Sequence, residues 1–441
     1  MQSKWTLMVG DSNGINVDRL PLDYDILDQI DYVYPAGANY FGYLTRGCPN
    51  HCAFCAVPIL EPEFTITNNI IEQIQAIDAK YGPKQNLLLL DNNILNAPNL
   101  SQIVDDLCTA GFAKGAKFVD PGLYSVIMKR YHNGDRGDYL DRKIQRYLQQ
   151  LKTRIKNEQA RCDYIQMLID GEDATDYAEY MLRTEHALSP IVEKYRSKTP
   201  RARYVDFNQG VDGRRINDEN MQLLARLAIK PLRIAFDDIA MKDRFCKAVE
   251  IAHKHGIKEI SNYMLFNFND KPEDLYERLK TNIELNQRLG IQIFSFPMKY
   301  SPITETDRSY VGKHWSVKQL RAISAILQVT KGVVAAGTSF FYKAFGRDLN
   351  EFCEILSMPR DYIMFRSYFE ENGRTYEWQR EYRKLDTQQK EQLLKVVSLP
   401  ASELRTLNWP NDLRAIIPFY LDKHPTGPLK TASDNQMTLF D

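Results

Sequence analysis

The sequence predicts an α/β fold built on parallel strands. Short apolar runs recur between residues 40 and 302, each followed by a segment with apolar residues at helical spacing. Some of these runs are continuous rather than alternating, Leu87-Leu88-Leu89-Leu90 most clearly, as expected of strands buried on both faces. Glycines 111, 256 and 290 stand where the intervening helices should stop. Repetition of strand, helix and strand needs right-handed crossovers, and therefore a parallel sheet.

Taken in order, residues 4–9 look strand-like, and the stretch up to 39, rich in Asp, Tyr, Asn and Gly, reads as a lead-in. An extended aromatic run at 40–44 leads into a cysteine-bearing loop. A helix is expected over 70–81 and a buried strand over 86–90, ended by Asp91-Asn92-Asn93. Ser101 offers an N-cap for a helix through 110, with Gly111 as its stop. Strand 202–207, helix 218–227, strand 232–236, helix 242–255, strand 259–266, helix 272–289 and strand 291–297 complete six strand–helix steps.

Between 113 and 200 the rhythm stops. Residues 138–161 are charged and helical, with Leu140, Ile144, Leu148, Leu151 and Ile155 on one stripe. This is a helical insertion, which can cap a site, contact a large substrate or be a solvated excursion. From 303 to 424 the chain is mostly helical and aromatic. Tyr362, Phe365, Tyr368 and Phe369, interleaved with Arg360, Arg366 and Arg374, can form a stacking surface for bases, although packing of a helical domain is the preferred reading. Residues 425–441 are polar, with Pro, Gly and Ser, and read as a flexible tail.

The chain has 441 residues and a formal net charge of zero, so there is no global electrostatic signal for nucleic acid or an anionic membrane. No apolar run has the length of a transmembrane helix, and the N-terminus lacks the apolar core of a signal peptide. Of seven cysteines, Cys108, Cys162, Cys246 and Cys353 are scattered and form no disulfide framework, so a cytoplasmic location is expected.

The other three, Cys48, Cys52 and Cys55, fall within eight residues. Three thiolates at this spacing can hold an iron–sulfur cube with one iron left without a protein ligand, an arrangement suited to chemistry. Zinc is the first alternative, but it needs four ligands, and His51 adjoins Cys52, which strains a shared tetrahedral site. A redox pair of Cys52 and Cys55 is the second, but it leaves Cys48 without a role. Inert buried cysteines are the third.

The run Tyr43-Leu44-Thr45-Arg46-Gly47-Cys48-Pro49-Asn50-His51-Cys52-Ala53-Phe54-Cys55-Ala56-Val57-Pro58 resembles the cluster loop of radical S-adenosylmethionine (radical SAM) enzymes, particularly the methylthiotransferase and cobalamin-type branch. The resemblance implies a partial (β/α)6 TIM-like barrel over 40–302, interrupted by the 113–200 insertion, with a 1–39 lead-in, the 303–424 helical region and the 425–441 tail outside it. It implies a 4Fe-4S cluster on Cys48, Cys52 and Cys55, with S-adenosylmethionine chelating the open iron and cleaved to a 5′-deoxyadenosyl radical. A flavodoxin- or ferredoxin-like electron donor is implied as partner.

The resemblance also assigns cofactor contacts. Phe54 matches an aromatic position that packs on adenine, and Asp91 or Asn93 stands where many members accept from the methionine amino group. Asn208 and Arg214 belong to the loop after the third strand, where an arginine can pair with a carboxylate. Asp237 matches an acidic acceptor after the fourth strand. Residues 264–269 resemble the adenine-contacting fifth strand without its usual glycines, and Tyr300-Ser301-Pro302 resembles the Tyr-x-Pro that closes the sixth.

A methylthiotransferase's second cluster and a cobalamin domain are both disfavoured, because no cysteine precedes Cys48 and few residues precede the barrel. The end of the tail, Gln436, Met437, Leu439 and Phe440, resembles a bacterial sliding-clamp-binding peptide, which makes the clamp a candidate partner and a nucleobase a candidate substrate. The rival expectation is a non-catalytic interaction protein with a structural iron–sulfur or zinc site and a clamp-binding tail.

Overall fold

The computed structural model describes residues 20–29, 36, 37, 39–67, 69–306 and 308–425. The expected strand at 4–9 and the clamp-like residues Gln436, Met437, Leu439 and Phe440 lie outside them. The fold is α/β, in two compact units: one takes in residues up to 46, 64–209 and 223–230, the other 47–63, 210–222 and 231 onward. Each has a three-stranded parallel sheet, and no sheet among the described residues closes on itself.

In the first unit β1 (Tyr40–Gly42), β2 (Leu87–Leu89) and β3 (Val205–Phe207) lie side by side in that order, with Tyr40 opposite Leu87 and Leu87 opposite Val205. Leu87, Leu89 and Val205 are fully buried, which explains the unbroken apolar runs. Helix Ile70–Tyr81 is capped by Asn69, whose Oδ1 accepts the Ile71 N–H at 2.9 Å, and it stops at Gly82. The next helix differs from expectation. It starts at Leu100, which is buried, so Ser101 lies inside the first turn and caps nothing. It then widens into a turn at Cys108–Phe112, where Gly111 is left-handed with φ 88°.

The run expected at 202–207 divides in two. Arg201–Ala202 pairs antiparallel with Lys117–Phe118, joining the two ends of the insertion, and only Val205–Phe207 joins the parallel sheet. The insertion consists of helices Leu123–His132, Asp138–Leu151, Glu158–Glu172 and Tyr177–Tyr195 around their own core, which includes Tyr131, Ile144, Leu148, Tyr164 and Leu188. The single helix expected over 138–161 is two. A 3-10 turn at Lys152–Arg154 interrupts it, and Asn157 caps the second helix by accepting from the Ala160 N–H at 2.9 Å. The apolar stripe masked this break because Ile155, although outside both helices, still packs in the core.

The lead-in contributes to this unit through Asp25. Both its oxygens receive Arg130 N–H groups at 2.8 Å, and Tyr139 donates to Oδ2 at 3.0 Å. Burial raises the Asp25 pKa, but the Arg130 bonds outweigh it and hold the carboxyl below its usual range.

In the second unit β4 (Leu232–Arg233), β5 (Glu259–Phe266) and β6 (Gln292–Lys299) form the sheet in the order β6-β5-β4. The run expected at 232–236 is regular strand only at its start, but it stays alongside β5: the Ile234 and Phe236 N–H groups donate to Ser261 and Tyr263 carbonyls. Helices Lys242–Lys254 and Pro272–Leu289 pack against the sheet, Phe245 stacking on Phe236 at 4.3 Å and Asn282 donating to Ser295 Oγ at 2.7 Å. Arg278, fully buried on the second helix, donates to the carbonyls of Phe236, Asp237 and Leu265, and pairs with Asp270 at 3.0 Å.

The aromatic C-terminal helices are packed rather than displayed. Tyr362 and Phe369 are buried and stacked at 4.2 Å, and Phe365 stacks on His424 at 4.0 Å. The interleaved arginines are engaged: Arg360 by Gln328, Arg366 by Glu370 and Arg374 by Glu377 and Asp422. Core packing therefore accounts for Tyr362 and Phe369, while Tyr368 stays 39% exposed with its ring edge-on to His424. No helix among the described residues is long and apolar enough to cross a membrane.

Helix Val317–Val329 opens with a reciprocal cap between Ser316 and Gln319, and the next residue inward, Lys318, is buried. Its Nζ donates to the Leu356 and Met358 carbonyls at 2.9 and 2.6 Å, closing the end of helix Leu349–Ser357. Burial pulls its pKa from 10.5 down to about 7. Between those values the unfolded chain binds more protons than the fold, so this group's cost is full below pH 7 and is relieved as pH rises toward 10.5. In urea titrations, wild type should gain stability relative to Lys318→Met by on the order of 3 kcal/mol between about pH 7 and pH 10; a constant difference would contradict a buried, depressed lysine.

Candidate metal centre and its supports

Gly47 sets the entry to the cysteine loop. Its φ is 72°, and a Cβ there would lie 2.1 Å from the Glu63 carbonyl oxygen and 2.9 Å from that of Glu61, so only glycine fits. The Gly47 N–H donates to Glu61 Oε2 at 2.8 Å, which draws the two ends of the loop together. Inside, the Cys55 N–H donates to the Cys52 carbonyl at 2.9 Å, and the Val57 N–H points at Cys55 Sγ at 3.4 Å before a short helix, Val57–Leu60. Cys48, Cys52 and Cys55 are half-buried, and none of the three is in a disulfide. Burial pushes the Cys52 thiol up; nearby Cys55 and Cys48 add to this, while Arg214 opposes it.

Among the described residues no group of three His, Cys, Asp or Glu side chains is gathered for one metal ion.

The loop after β3 reaches this cysteine segment through Asp212. Its side chain caps the 3-10 turn Gly213–Arg215, accepting the Arg214 N–H at 3.0 Å. The same carboxylate receives Arg214 Nε at 2.8 Å, Arg214 Nη2 at 2.9 Å and Asn50 Nδ2 at 2.9 Å. These bonds overcome its burial and hold the Asp212 carboxyl below its usual range. The Arg214 cation pulls the Cys52 thiol pKa down, against its burial. The fork edge expected to take a cofactor carboxylate is thus bound to Asp212. Asp212 and Asn50 were missed in the sequence, although an Asp two residues before an Arg, and an Asn between Cys48 and Cys52, were the available signals.

Phe54 is half-buried, its ring edge-on to Phe268 at 6.0 Å, and Phe268 in turn meets Tyr300 at 4.7 Å. Asp237 accepts from the Leu265 N–H at 3.2 Å, its own carbonyl is held by Arg278, and burial raises its carboxyl pKa. The fifth strand, which lacks the glycines of the resembled family, ends at Asn267 with φ 72°. Asparagine tolerates that conformation, and its side chain bonds the Tyr300 and Tyr310 carbonyls and the Gly312 N–H.

In the first unit Asp91 follows β2 and is 3% exposed. Its Oδ1 accepts three bonds, from the Leu44 N–H at 2.9 Å, the Thr45 N–H at 2.6 Å and Thr45 Oγ1 at 2.7 Å. Oδ2 is buried without a partner. Asn93 is buried at the start of the turn Ile94–Asn96, and half-buried Asn208 donates its N–H to the Leu89 carbonyl at 2.9 Å, continuing β3 along β2.

No protein-family model matches the chain, and no curated protein matches its sequence.

Burial raises the Asp91 pKa above 3.8, more than its three bonds lower it. Above that pH the fold binds more protons than the unfolded chain, so this group costs stability as pH rises toward neutrality. Asp91→Asn keeps an acceptor for the three donors and removes the charge. Its melting temperature relative to wild type should climb as pH rises from about 4 to about 7; a variant destabilised equally at both would show the carboxylate to be a structural need.

Proposed function

We propose that this protein is a radical SAM enzyme that holds a 4Fe-4S cluster on Cys48, Cys52 and Cys55, its six parallel strands forming the partial (β/α)6 barrel of that family. The cysteine loop carries the reading: three half-buried thiols on a segment closed by Gly47 and Glu61, with no fourth cysteine in the loop. Three soft thiolate donors suit iron–sulfur chemistry. When bound, such a cluster supplies the electron that cleaves S-adenosylmethionine reductively.

The chain's own residues then have separate tasks. The unpartnered Asp91 Oδ2 is an acceptor for an ammonium, and its burial strengthens that bond by excluding water. Phe54 offers a half-exposed ring for the adenine, and Asn93, Asn208 and Asp237 are further candidates for cofactor contacts. A flavodoxin- or ferredoxin-like protein is the expected reductant.

Anaerobic reconstitution with iron and sulfide should give a brown protein that releases 5′-deoxyadenosine from S-adenosylmethionine under strong reductant. Cys52→Ala should abolish both the iron–sulfur absorbance and the cleavage. A colourless wild-type protein that takes up zinc instead would overturn the reading.

A further inference from the structure

The chain is neutral as a whole, but the cations of the helical insertion are not evenly spread. Residues 142–157 hold six Lys or Arg and no Asp or Glu, and residues 194–203 hold five and none. The fold brings the ends of these stretches together. Arg154, in the 3-10 turn after helix Asp138–Leu151, donates to the carbonyl of Tyr195, the last residue of helix Tyr177–Tyr195, at 3.3 Å. Arg196 donates to the Asp120 carbonyl at 3.0 Å, and Arg201 lies over the ring of Phe118, its partner in the antiparallel pair, at 5.9 Å. In the same segments Lys117, Lys156, Lys194 and Lys198 are exposed. Carboxylates stand among them, each engaged: Glu193 by Arg196 at 3.0 Å and Lys198 at 2.7 Å, Asp120 by Arg201 at 3.2 Å, and Glu158 by Arg161. Two half-buried tyrosines lie between the cations. Lys194 Nζ is 5.3 Å from the Tyr195 ring centre, and Tyr147 and Arg196 both flank Gly122.

Cations in the last turn of a helix are ordinarily explained by its dipole. That accounts for Lys194, but Lys117 and Arg201 are on strands, and Lys156 and Lys198 lie beyond the helix ends. Like charges gathered on one face repel each other, and a bound polyanion relieves that repulsion. We propose that this end of the insertion binds the phosphodiester backbone of a nucleic acid. The inference goes beyond the cluster reading and does not rest on it. A nucleic acid strand presents a phosphate at each step with a flat base beside it, which suits cations carried on several segments with tyrosine rings between them. An acidic protein or an anionic bilayer would match the charge but make no use of the rings. The cations serve positioning and affinity, since contacts to phosphate carry no sequence information.

The test is fluorescence anisotropy of the full chain, without added iron, against labelled single-stranded DNA, RNA of the same sequence and duplex DNA. At least one should bind, and tighter binding of one names the polymer. If about four phosphates are neutralised, affinity should fall on the order of fifty-fold between about 50 and about 200 mM salt. Changing Lys117, Lys156 and Lys194 together to Glu should weaken binding at least tenfold, and changing them to Gln, which adds no repulsion, several-fold. The charge-matched control reverses Lys247, Lys258 and Lys395, exposed residues of the second unit, and should leave most of the affinity. Circular dichroism checks that each variant is folded, and the Gln set carries the test if the Glu set is not. Absence of binding in wild type would overturn the proposal, as would equal losses in the two reversed sets. Binding of polyglutamate or of phosphatidylserine vesicles as tight as that of the oligonucleotides would also overturn it, making the patch a general attractor of anions. None of these outcomes bears on whether Cys48, Cys52 and Cys55 hold a cluster.

Discussion

In the second unit, one buried guanidinium determines where the strands end. Arg278 projects from the long helix Pro272–Leu289 and takes the carbonyl oxygens of Phe236, Asp237 and Leu265, which lie at or just beyond the C-terminal ends of two neighbouring parallel runs. Parallel strands finish with carbonyls that no further strand receives, and burying them unpaired would be costly. Asp270 balances the charge at 3.0 Å, and the Asp237 carboxylate in turn fixes the Leu265 N–H. The ends of β4 and β5 are therefore set by side chains, and the acidic residue at the fourth strand is aimed by a helix outside the sheet.

The cysteine segment uses the same economy of means. A glycine that admits no Cβ, a glutamate that bonds its N–H, and an aspartate that receives Asn50 together limit the paths open to a loop with little regular structure. Each residue ordered in such a loop costs conformational entropy, and these contacts offset part of it. Asp91 is arranged differently. Three donors converge on one oxygen while the other is left buried and unpartnered, a pattern that lowers stability.

Elements with strong local signals were legible in the sequence. Helices Ile70–Tyr81 and Pro272–Leu289 and strand Glu259–Phe266 run where period and punctuation place them, because their caps and apolar faces agree with their packing. Failures came where tertiary contact overrode local chemistry. Buried Leu100 moved a helix start ahead of Ser101, and core-packed Ile155 concealed a break between two helices. At the candidate site the cysteines, Phe54, Asp91 and Asp237 could be named from position along the chain. Their supports could not: Arg278 lies forty-one residues from Asp237, and Asn50 lies 162 from Asp212, distances that no local pattern spans.

The antiparallel pair of Lys117–Phe118 with Arg201–Ala202 gives the helical insertion a further significance. Its two ends leave and re-enter the chain as hydrogen-bonded neighbours, and its interior is filled by its own residues. Such a segment is a graft: lengthening, shortening or exchanging it changes loop-closure entropy only slowly with length and leaves the parallel strands in register. Among the described residues Asp25, bonded by Arg130 and Tyr139, ties it to the lead-in, so a lineage that altered these three together would be free to remodel the insertion while keeping the strands that position Asp91 and Asn208.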